Sequence, residues 1–329
     1  MDTPETLTQQ IMDGHQVTRE EALWLSKQPL EHLCRQADRI RRHFCKNTFD
    51  LCTIINGKSG RCSENCKFCA QSAHNHTDAD TYPLLSKEEI LADAKKQAAQ
   101  GVLRYSIVTA GKALSDAEID IMCDTIRQIR QETTLSVCVS FGLLTESQFR
   151  RLKDAGVSRV HNNLETSERH FPNICTTHTF ADKVSAIQAA QQAGLTVCSG
   201  GIMGMGETMA DRIDMALALR GLGITSVPVN VLNPIPGTPF GEYPTLSEAE
   251  VLGILALYRF LLPAASIRMA GGRGLLPDGG KSCFLSGANA AITGDMLTTA
   301  GITAQTDLQM LTELGYEVKL DETTDGHRH

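Results

Sequence analysis

Short apolar runs rich in β-branched residues alternate with segments of helical periodicity from residue 51 onward. A strand that is followed by a helix and a second strand pairs in parallel through a right-handed crossover. We predict strands at residues 52–56, 103–109, 135–140, 157–163, 195–202, 226–231, 266–270 and 291–293. This pattern favours an α/β fold, a closed (β/α)8 barrel of the TIM type, which accommodates 329 residues in one domain.

The helices of this pattern carry start signals. A hydroxyl residue followed three positions later by a carboxylate or an amide forms a capping box, and it occurs at Ser86 with Glu89, Ser115 with Glu118, Thr145 with Gln148, and Ser247 with Glu250. The alternative fold is an open doubly wound sheet, but no G-x-G-x-x-G motif follows the first strand. We expect an N-terminal helical extension at 1–50, with helices at 20–27 and 29–43, the barrel at 51–319, and a polar tail at 320–329.

Three cysteines follow directly after the first predicted strand, in the spacing C-x3-C-x2-C: Cys62, Cys66 and Cys69. In a barrel this position is the C-terminal face of the strands, where active sites lie. Three thiolates on one loop suit three corners of a [4Fe–4S] cluster and leave the fourth iron open for a substrate or a cofactor. A structural zinc site is the alternative, with His74 or His76 as the fourth ligand.

Composition limits the remaining function classes. The net charge of −7 and the lack of a basic stripe argue against a nucleic-acid partner. The longest apolar run, at 251–265, is too short to span a membrane and contains Arg259 and Pro263. The acidic N-terminus does not match a signal peptide, so we expect a reducing, cytoplasmic setting in which the cysteines are ligands or free thiols.

Several segments beyond the cysteine loop narrow the interpretation. The glycine-rich stretch 200–207, the stretch His-Asn-Asn-Leu-Glu-Thr-Ser at 161–167, and the pair Thr298 and Thr299 occur in the order that biotin synthases show. The chain therefore resembles the biotin synthase family of the radical S-adenosylmethionine (SAM) superfamily over nearly its whole length. The resemblance implies that the open iron binds SAM, and that sulfur is inserted into dethiobiotin between C6 and C9 to form biotin.

The resemblance also implies roles for individual residues. Cofactor-binding positions are Phe68, Asn163, Glu165, Lys183, Ile202 and Met203. Substrate positions are Asn163 and Asn230 for the ureido ring, and Thr298 and Thr299 for the valerate carboxylate. Ligands of a second, auxiliary cluster, which is the expected source of the sulfur, are Cys138, Cys198 and Arg268.

One position departs from the family pattern. Ser106 stands on the second predicted strand, where the resemblance leads us to expect a third cysteine for the auxiliary cluster. A serine oxygen is a harder ligand than a thiolate, so an ordinary [2Fe–2S] cluster is in question. We hypothesise that Cys52, Cys45 or both join Cys138 and Cys198 around the auxiliary cluster, which is either a [2Fe–2S] unit or an altered, larger cluster; alternatively, Cys45 and Cys52 are small buried hydrophobic residues.

Two other functions compete with sulfur insertion. One is a radical SAM enzyme with the same barrel, of the hydrogenase-maturation or mutase type, and the other is a non-catalytic iron–sulfur redox sensor. The expected partners are dethiobiotin, a flavodoxin- or ferredoxin-type electron donor, and a second copy of the chain in a homodimer. The other cysteines, which we expect to be structural, are Cys34, Cys123, Cys175 and Cys283.

Overall fold

The computed structural model describes residues 3–320, which form a closed parallel barrel. Its strands are β1 (Thr48–Lys58), β2 (Arg104–Thr109), β3 (Ser136–Ser140), β4 (Val157–His161), β5 (Thr196–Cys198), β6 (Gly201–Met203), β7 (Ser226–Val231), β8 (Ser266–Met269), β9 (Ala290–Thr293) and β10 (Glu317–Val318). Strand β9 pairs with β1 and closes the ring, while β5 and β6 share one position between β4 and β7. The predicted barrel is confirmed, and the open sheet is excluded.

Helices cover the outside of the barrel. They are α1 (Pro4–Met12), α2 (Arg19–Leu25), α3 (Leu30–Cys45), α4 (Lys87–Ala99), α5 (Asp116–Glu132), α6 (Glu146–Asp154), α7 (Phe180–Gln192), α8 (Met209–Gly221), α9 (Glu248–Leu261), α10 (Lys281–Phe284) and α11 (Ala304–Glu313). All four predicted capping boxes begin helices, at α4, α5, α6 and α9. Their hydroxyl groups accept hydrogen bonds from backbone N–H groups that the first helical turn leaves unpaired.

The fifth predicted strand, 195–202, is interrupted, which the sequence pattern did not indicate. It divides into β5 and β6, with Ser199 and Gly200 between them. A Cβ atom at Gly200 would lie 1.9 Å from the carbonyl oxygen of Pro228 on the neighbouring strand. Only a glycine permits this close approach of two backbones.

The ends of the chain add elements that the sequence analysis did not predict. Helix α1 precedes the two predicted N-terminal helices, and α3 packs against α9 on the outside of the barrel. Strand β1 begins at Thr48, before the expected boundary at residue 51, and β10 pairs with its first residues. Of the expected polar tail, only residue 320 lies within the described residues. Between residues 3 and 320, no helix combines the length and the hydropathy needed to cross a membrane.

Candidate functional site

The cysteine loop lies at the carboxyl end of β1, as predicted. Backbone hydrogen bonds from Cys62 N to Gln71 O (2.9 Å) and from Ala73 N to Cys62 O (2.8 Å) close the loop at its base. A further bond, from Cys69 N to Cys66 O (3.1 Å), forms a tight turn between the last two cysteines. All three cysteines line one cavity of about 400 Å³ inside the barrel.

The same cavity reaches down to the residues expected to hold the auxiliary cluster. Cys138, Cys198 and Arg268 line it from β3, β5 and β8, and each is almost fully buried. Ser106 and Cys52 also line it. The barrel therefore brings the predicted cluster ligands at its rim and in its interior to one continuous space.

A cluster of buried charges forms the floor of this cavity. The Asp50 carboxylate lies 3.2 Å from Arg104 Nη2, 3.2 Å from Arg268 Nη2 and 3.5 Å from Arg159 Nη1. Burial alone would raise the pKa of Asp50, but the three guanidinium groups hold it well below its usual range. The four side chains thus form one buried network in which a single carboxylate contacts three guanidinium groups.

The two interior cysteines on β5 and β1 have different acidities. Burial would raise the pKa of Cys198, but its hydrogen bond with His161, together with nearby cations, lowers it to about 6. Burial raises the pKa of Cys52 to about 12, and the positive charge of Arg268 only partly opposes this shift. Cysteine binds a metal as the thiolate. Of the two residues, Cys198 therefore loses its proton to a metal more readily than Cys52.

Polar side chains after β4 form one wall of the cavity. Lys183 Nζ donates to Asn162 Oδ1 (3.4 Å), and Asn163 Oδ1 accepts from Gly200 N (3.1 Å). Burial raises the pKa of Glu165, and the charge of Lys183 opposes that shift. Glu165 Oε2 and Asn162 Nδ2 are buried and lack hydrogen-bond partners within residues 3–320. A ligand with hydroxyl, amino and carboxylate groups, such as SAM, would supply hydrogen-bond partners for both atoms.

Most of the other predicted site residues also line this cavity: Phe68, Ile202, Asn230 and Thr298. Met203 does not line it, because alternation along β6 turns the side chain into the hydrophobic core. Thr299 lies in a turn, where its carbonyl accepts from Met296 N (2.8 Å), and it is not among the residues that line the cavity.

Cys45 is not brought to the cavity. It is the last residue of α3, and its sulfur lies 3.3 Å from Arg259 Nη1 and 3.9 Å from the carbonyl oxygen of Ala265. Helix α3 belongs to the outer layer, so this thiol is separated from the barrel interior. The hypothesis that Cys45 is a cluster ligand is therefore not supported, whereas Cys52 lines the cavity together with the other residues expected to hold the auxiliary cluster.

The zinc alternative for the cysteine loop also lacks its expected ligand. His74 Nε2 contacts the carbonyl oxygen of Ser63 (3.1 Å), and neither His74 nor His76 lines the cavity. Among residues 3–320, the one group of three close metal-ligating atoms contains Cys66, Cys175 and His178. The loop cysteines do not form a four-ligand zinc site with the neighbouring histidines.

Four residues that received no site role from the sequence also belong here: Asp50, Arg104 and Arg159 form the charged floor, and His161 lines the cavity beside Cys198. One signal was available for the arginines: each is a lone charge within a buried apolar strand, which is rare unless the charge is paired.

Comparison with known proteins agrees with this arrangement. Family models described as the Radical SAM superfamily and as the Biotin and Thiamin Synthesis associated domain match residues 28–219 and 228–317. A biotin synthase from Brachyspira hyodysenteriae is 58% identical over 318 residues, covering 97% of this chain and 96% of the relative. Another, from Akkermansia muciniphila, is 56% identical over 320 residues, covering 97% of this chain and 100% of the relative.

Solved structures share the fold at much lower identity. Methylornithine synthase superposes with a TM-score of 0.83 at 20% identity, covering 95% of this chain and 97% of its own. The [FeFe]-hydrogenase maturase HydG superposes with a TM-score of 0.84 at 17% identity, covering 98% of this chain and 77% of its own. These structures show the common barrel, and the sequence relatives show the family. The chain belongs to the biotin synthase family of radical SAM enzymes.

Proposed function

We propose that this protein inserts sulfur into dethiobiotin, between C6 and C9, to form biotin. The observation that carries the proposal is the single cavity that joins the three-cysteine loop at its rim to Cys138, Cys198 and Arg268 in its interior. The hydrogenase-maturase alternative rests on a shared fold alone. A redox sensor would not need a substrate-sized cavity between two sets of ligands.

Cys62, Cys66 and Cys69 would hold a [4Fe–4S] cluster, and the wall after β4 would hold SAM. When bound, this cluster and SAM supply the 5′-deoxyadenosyl radical that removes hydrogen from unactivated C–H bonds. The unpartnered Glu165 Oε2 would accept hydrogen bonds from ribose hydroxyls, and Lys183 would pair with the SAM carboxylate. Lysine provides the charge but not the bidentate fork of an arginine.

The substrate would lie between the two sets of cysteines. Two hydrogen bonds fix the orientation of the Asn230 side-chain amide, which donates to Gly201 O (3.1 Å) and accepts from Gly271 N (2.8 Å). One N–H and one lone pair of that amide are left for a ureido group. Asn163, held by Gly200 N, would contact the same ring, and Thr298 would bind the valerate carboxylate. Thr299 would reach that carboxylate only if its turn moved, since it does not line the cavity.

Cys138, Cys198 and Arg268 would hold the auxiliary cluster, with Cys52 in addition. When bound, this cluster supplies the sulfur atom. Cys52 is buried, lines the same cavity and lies within electrostatic range of Cys138 and Arg268. Ser106 occupies the site where the family pattern places a cysteine, so a larger cluster replaces the ordinary [2Fe–2S] unit in this proposal.

Anaerobic reconstitution followed by Mössbauer spectroscopy, before and after turnover, tests the function. We expect two iron–sulfur signals, dethiobiotin-dependent 5′-deoxyadenosine, biotin, and loss of one signal during turnover. Cys62→Ala should abolish 5′-deoxyadenosine formation, whereas Cys198→Ala should keep SAM cleavage but form no biotin. The proposal is wrong if the reconstituted protein cleaves SAM without any response to dethiobiotin.

Two cysteines that lie close in the sequence allow a matched test of the auxiliary ligands. Cys52→Ala should lower the iron and sulfide content, because it removes a thiol from the cavity. Cys45→Ala should leave both unchanged, because that thiol contacts Arg259 outside the barrel. Equal iron and sulfide content in the two variants would exclude Cys52 as a ligand.

The remaining partners stay predictions. A flavodoxin- or ferredoxin-type donor would supply the electron, and a second copy of the chain would complete a homodimer. The reducing, cytoplasmic setting likewise stays an expectation from the sequence.

A further inference from the structure

The segment before α7 is tied to the cysteine loop by an array of hydrogen bonds. Asn65 Oδ1 accepts from the backbone N–H groups of Thr176 (2.9 Å) and Thr177 (3.2 Å). On the other side of the loop, Lys67 N donates to the carbonyl oxygen of Ile174 (2.9 Å). These contacts fix Cys175 directly beside Cys66.

A histidine completes a compact group of ligand atoms. The sulfurs of Cys66 and Cys175 and a ring nitrogen of His178 all lie within 4.8 Å of one another. Cys175 Sγ is 3.3 Å from His178 Nδ1 and 3.8 Å from His178 Nε2. Sulfur and nitrogen ligands on one tetrahedral ion lie about 3.5 Å apart, given metal bonds of roughly 2.0–2.3 Å. The spacing therefore suits a single ion, which the Cys175 sulfur reaches by turning from the Nδ1 side of the ring toward Nε2.

Glu64 orients the ring of His178, as carboxylates do for histidine ligands in many metal sites. Its Oε2 atom lies 2.6 Å from His178 Nδ1 and also accepts a hydrogen bond from Thr177 Oγ1 (2.8 Å). A carboxylate that binds one ring nitrogen fixes the tautomer and leaves the other nitrogen free to coordinate. Cys175 and His178 are buried, whereas Cys66 lines the cavity, so an ion can enter from that side.

We propose that the cluster-free chain binds one divalent cation of the zinc or ferrous-iron class through Cys66, Cys175 and His178. Two thiolates and an imidazole are ligands that these metals prefer, and the cavity leaves room for water at the fourth position. This ion site does not depend on the proposed function. Because Cys66 is also a ligand of the proposed [4Fe–4S] cluster, the single ion and the cluster exclude each other.

Cobalt binding to the cluster-free, full-length chain under anaerobic conditions tests the site. The parent should bind one Co²⁺ with sulfur-to-cobalt charge-transfer absorption and the intense visible bands of tetrahedral Co²⁺. Glu64→Gln should weaken the affinity about 10–100-fold through the loss of ligand orientation. Cys66→Ser, Cys175→Ser and His178→Gln should each weaken it more.

Two controls separate this site from the three-cysteine loop and from misfolding. Cys62→Ser should bind Co²⁺ as the parent does, and Cys175→Ser should still load a [4Fe–4S] cluster. Zinc added before iron and sulfide should block cluster loading in the parent but not in Cys175→Ser. If Cys175→Ser retains the parent's cobalt affinity, or Cys62→Ser loses as much as Cys66→Ser, the cation is held by the loop cysteines and the proposal fails.

Discussion

Replacing Asp50 with asparagine removes the anion that lies among the guanidinium groups of Arg104, Arg159 and Arg268. All four side chains are 1–3% exposed, so water cannot screen the charges that remain. Asparagine keeps the size of the side chain and one acceptor oxygen. The substitution therefore isolates the effect of the lost charge.

The expected cost follows from the burial of the network. Removing one partner of a buried ion pair destabilises a protein by about 3–5 kcal/mol, because the other partner keeps its desolvation penalty. Here one carboxylate serves three cations, so we place Asp50→Asn at the upper end of that range. Against a typical unfolding free energy of about 5–15 kcal/mol, this is a large loss.

The unfolding free energy that Asp50→Asn loses should depend on pH. The folded pKa of Asp50 lies below the unfolded value of about 3.9, so its stabilisation is complete above about pH 4 and disappears as the pH falls toward the folded pKa. The free-energy difference between the parent and Asp50→Asn should thus be constant near neutrality and shrink below pH 4. Urea unfolding of the cluster-free protein, followed by circular dichroism, measures it.

Asp214→Asn is the matched control, since it breaks an exposed ion pair with Arg19 by the same chemical change. Pairs of that kind contribute about 0–1 kcal/mol. If Asp50→Asn costs no more than Asp214→Asn at pH 7, the buried arginines do not depend on this carboxylate and the reasoning is refuted.

Three smaller predictions follow from the same structure. Gly200→Ala should strongly lower the midpoint of thermal unfolding, because the new Cβ atom would lie 1.9 Å from Pro228 O. Gly221→Ala is the matched control: the position has open space in α8, and the substitution should stabilise the helix by about 0.5–1 kcal/mol. Ser106→Cys should change the Mössbauer spectrum of the proposed auxiliary cluster by adding a thiolate to the cavity. Thr208→Ala should cost about 1 kcal/mol in urea unfolding, because Thr208 caps α8.

The parts of the protein that could be predicted depend on local patterns. Strand runs, capping boxes and the C-x3-C-x2-C loop each lie within a few residues, so the barrel and the first metal-binding loop are readable from the sequence. The charged floor is different. Asp50 and Arg104 are 54 positions apart, and only the pairing of β1 with β2 brings them together.

Cys45 and Cys52 show that the path of the backbone determines whether a cysteine reaches the cavity. They lie seven positions apart, yet one faces the outer helical layer and the other lines the cavity. Between them, Lys46 has φ +54° and ends α3, so the chain leaves the helix before it enters β1. A non-glycine residue in this left-handed region cannot be foreseen from composition.

Strand register also bears on which residues could hold the proposed auxiliary cluster. Ser106 is level with Cys138 on β3 and with Ile54 on β1, whereas Cys52 is level with Arg104. Barrel strands tilt by about 36°, so side chains from alternate strands, not those paired in register, form one layer, and this register places Cys52, Cys138, Cys198 and Arg268 together in such a layer. A cluster bound by both Cys52 and Cys138 would therefore lie across the barrel within that layer, whereas Ser106, on the strand between them, belongs to the neighbouring layer. Under the proposed function, this layer makes Cys52 rather than Ser106 the residue that stands opposite the other three expected ligands.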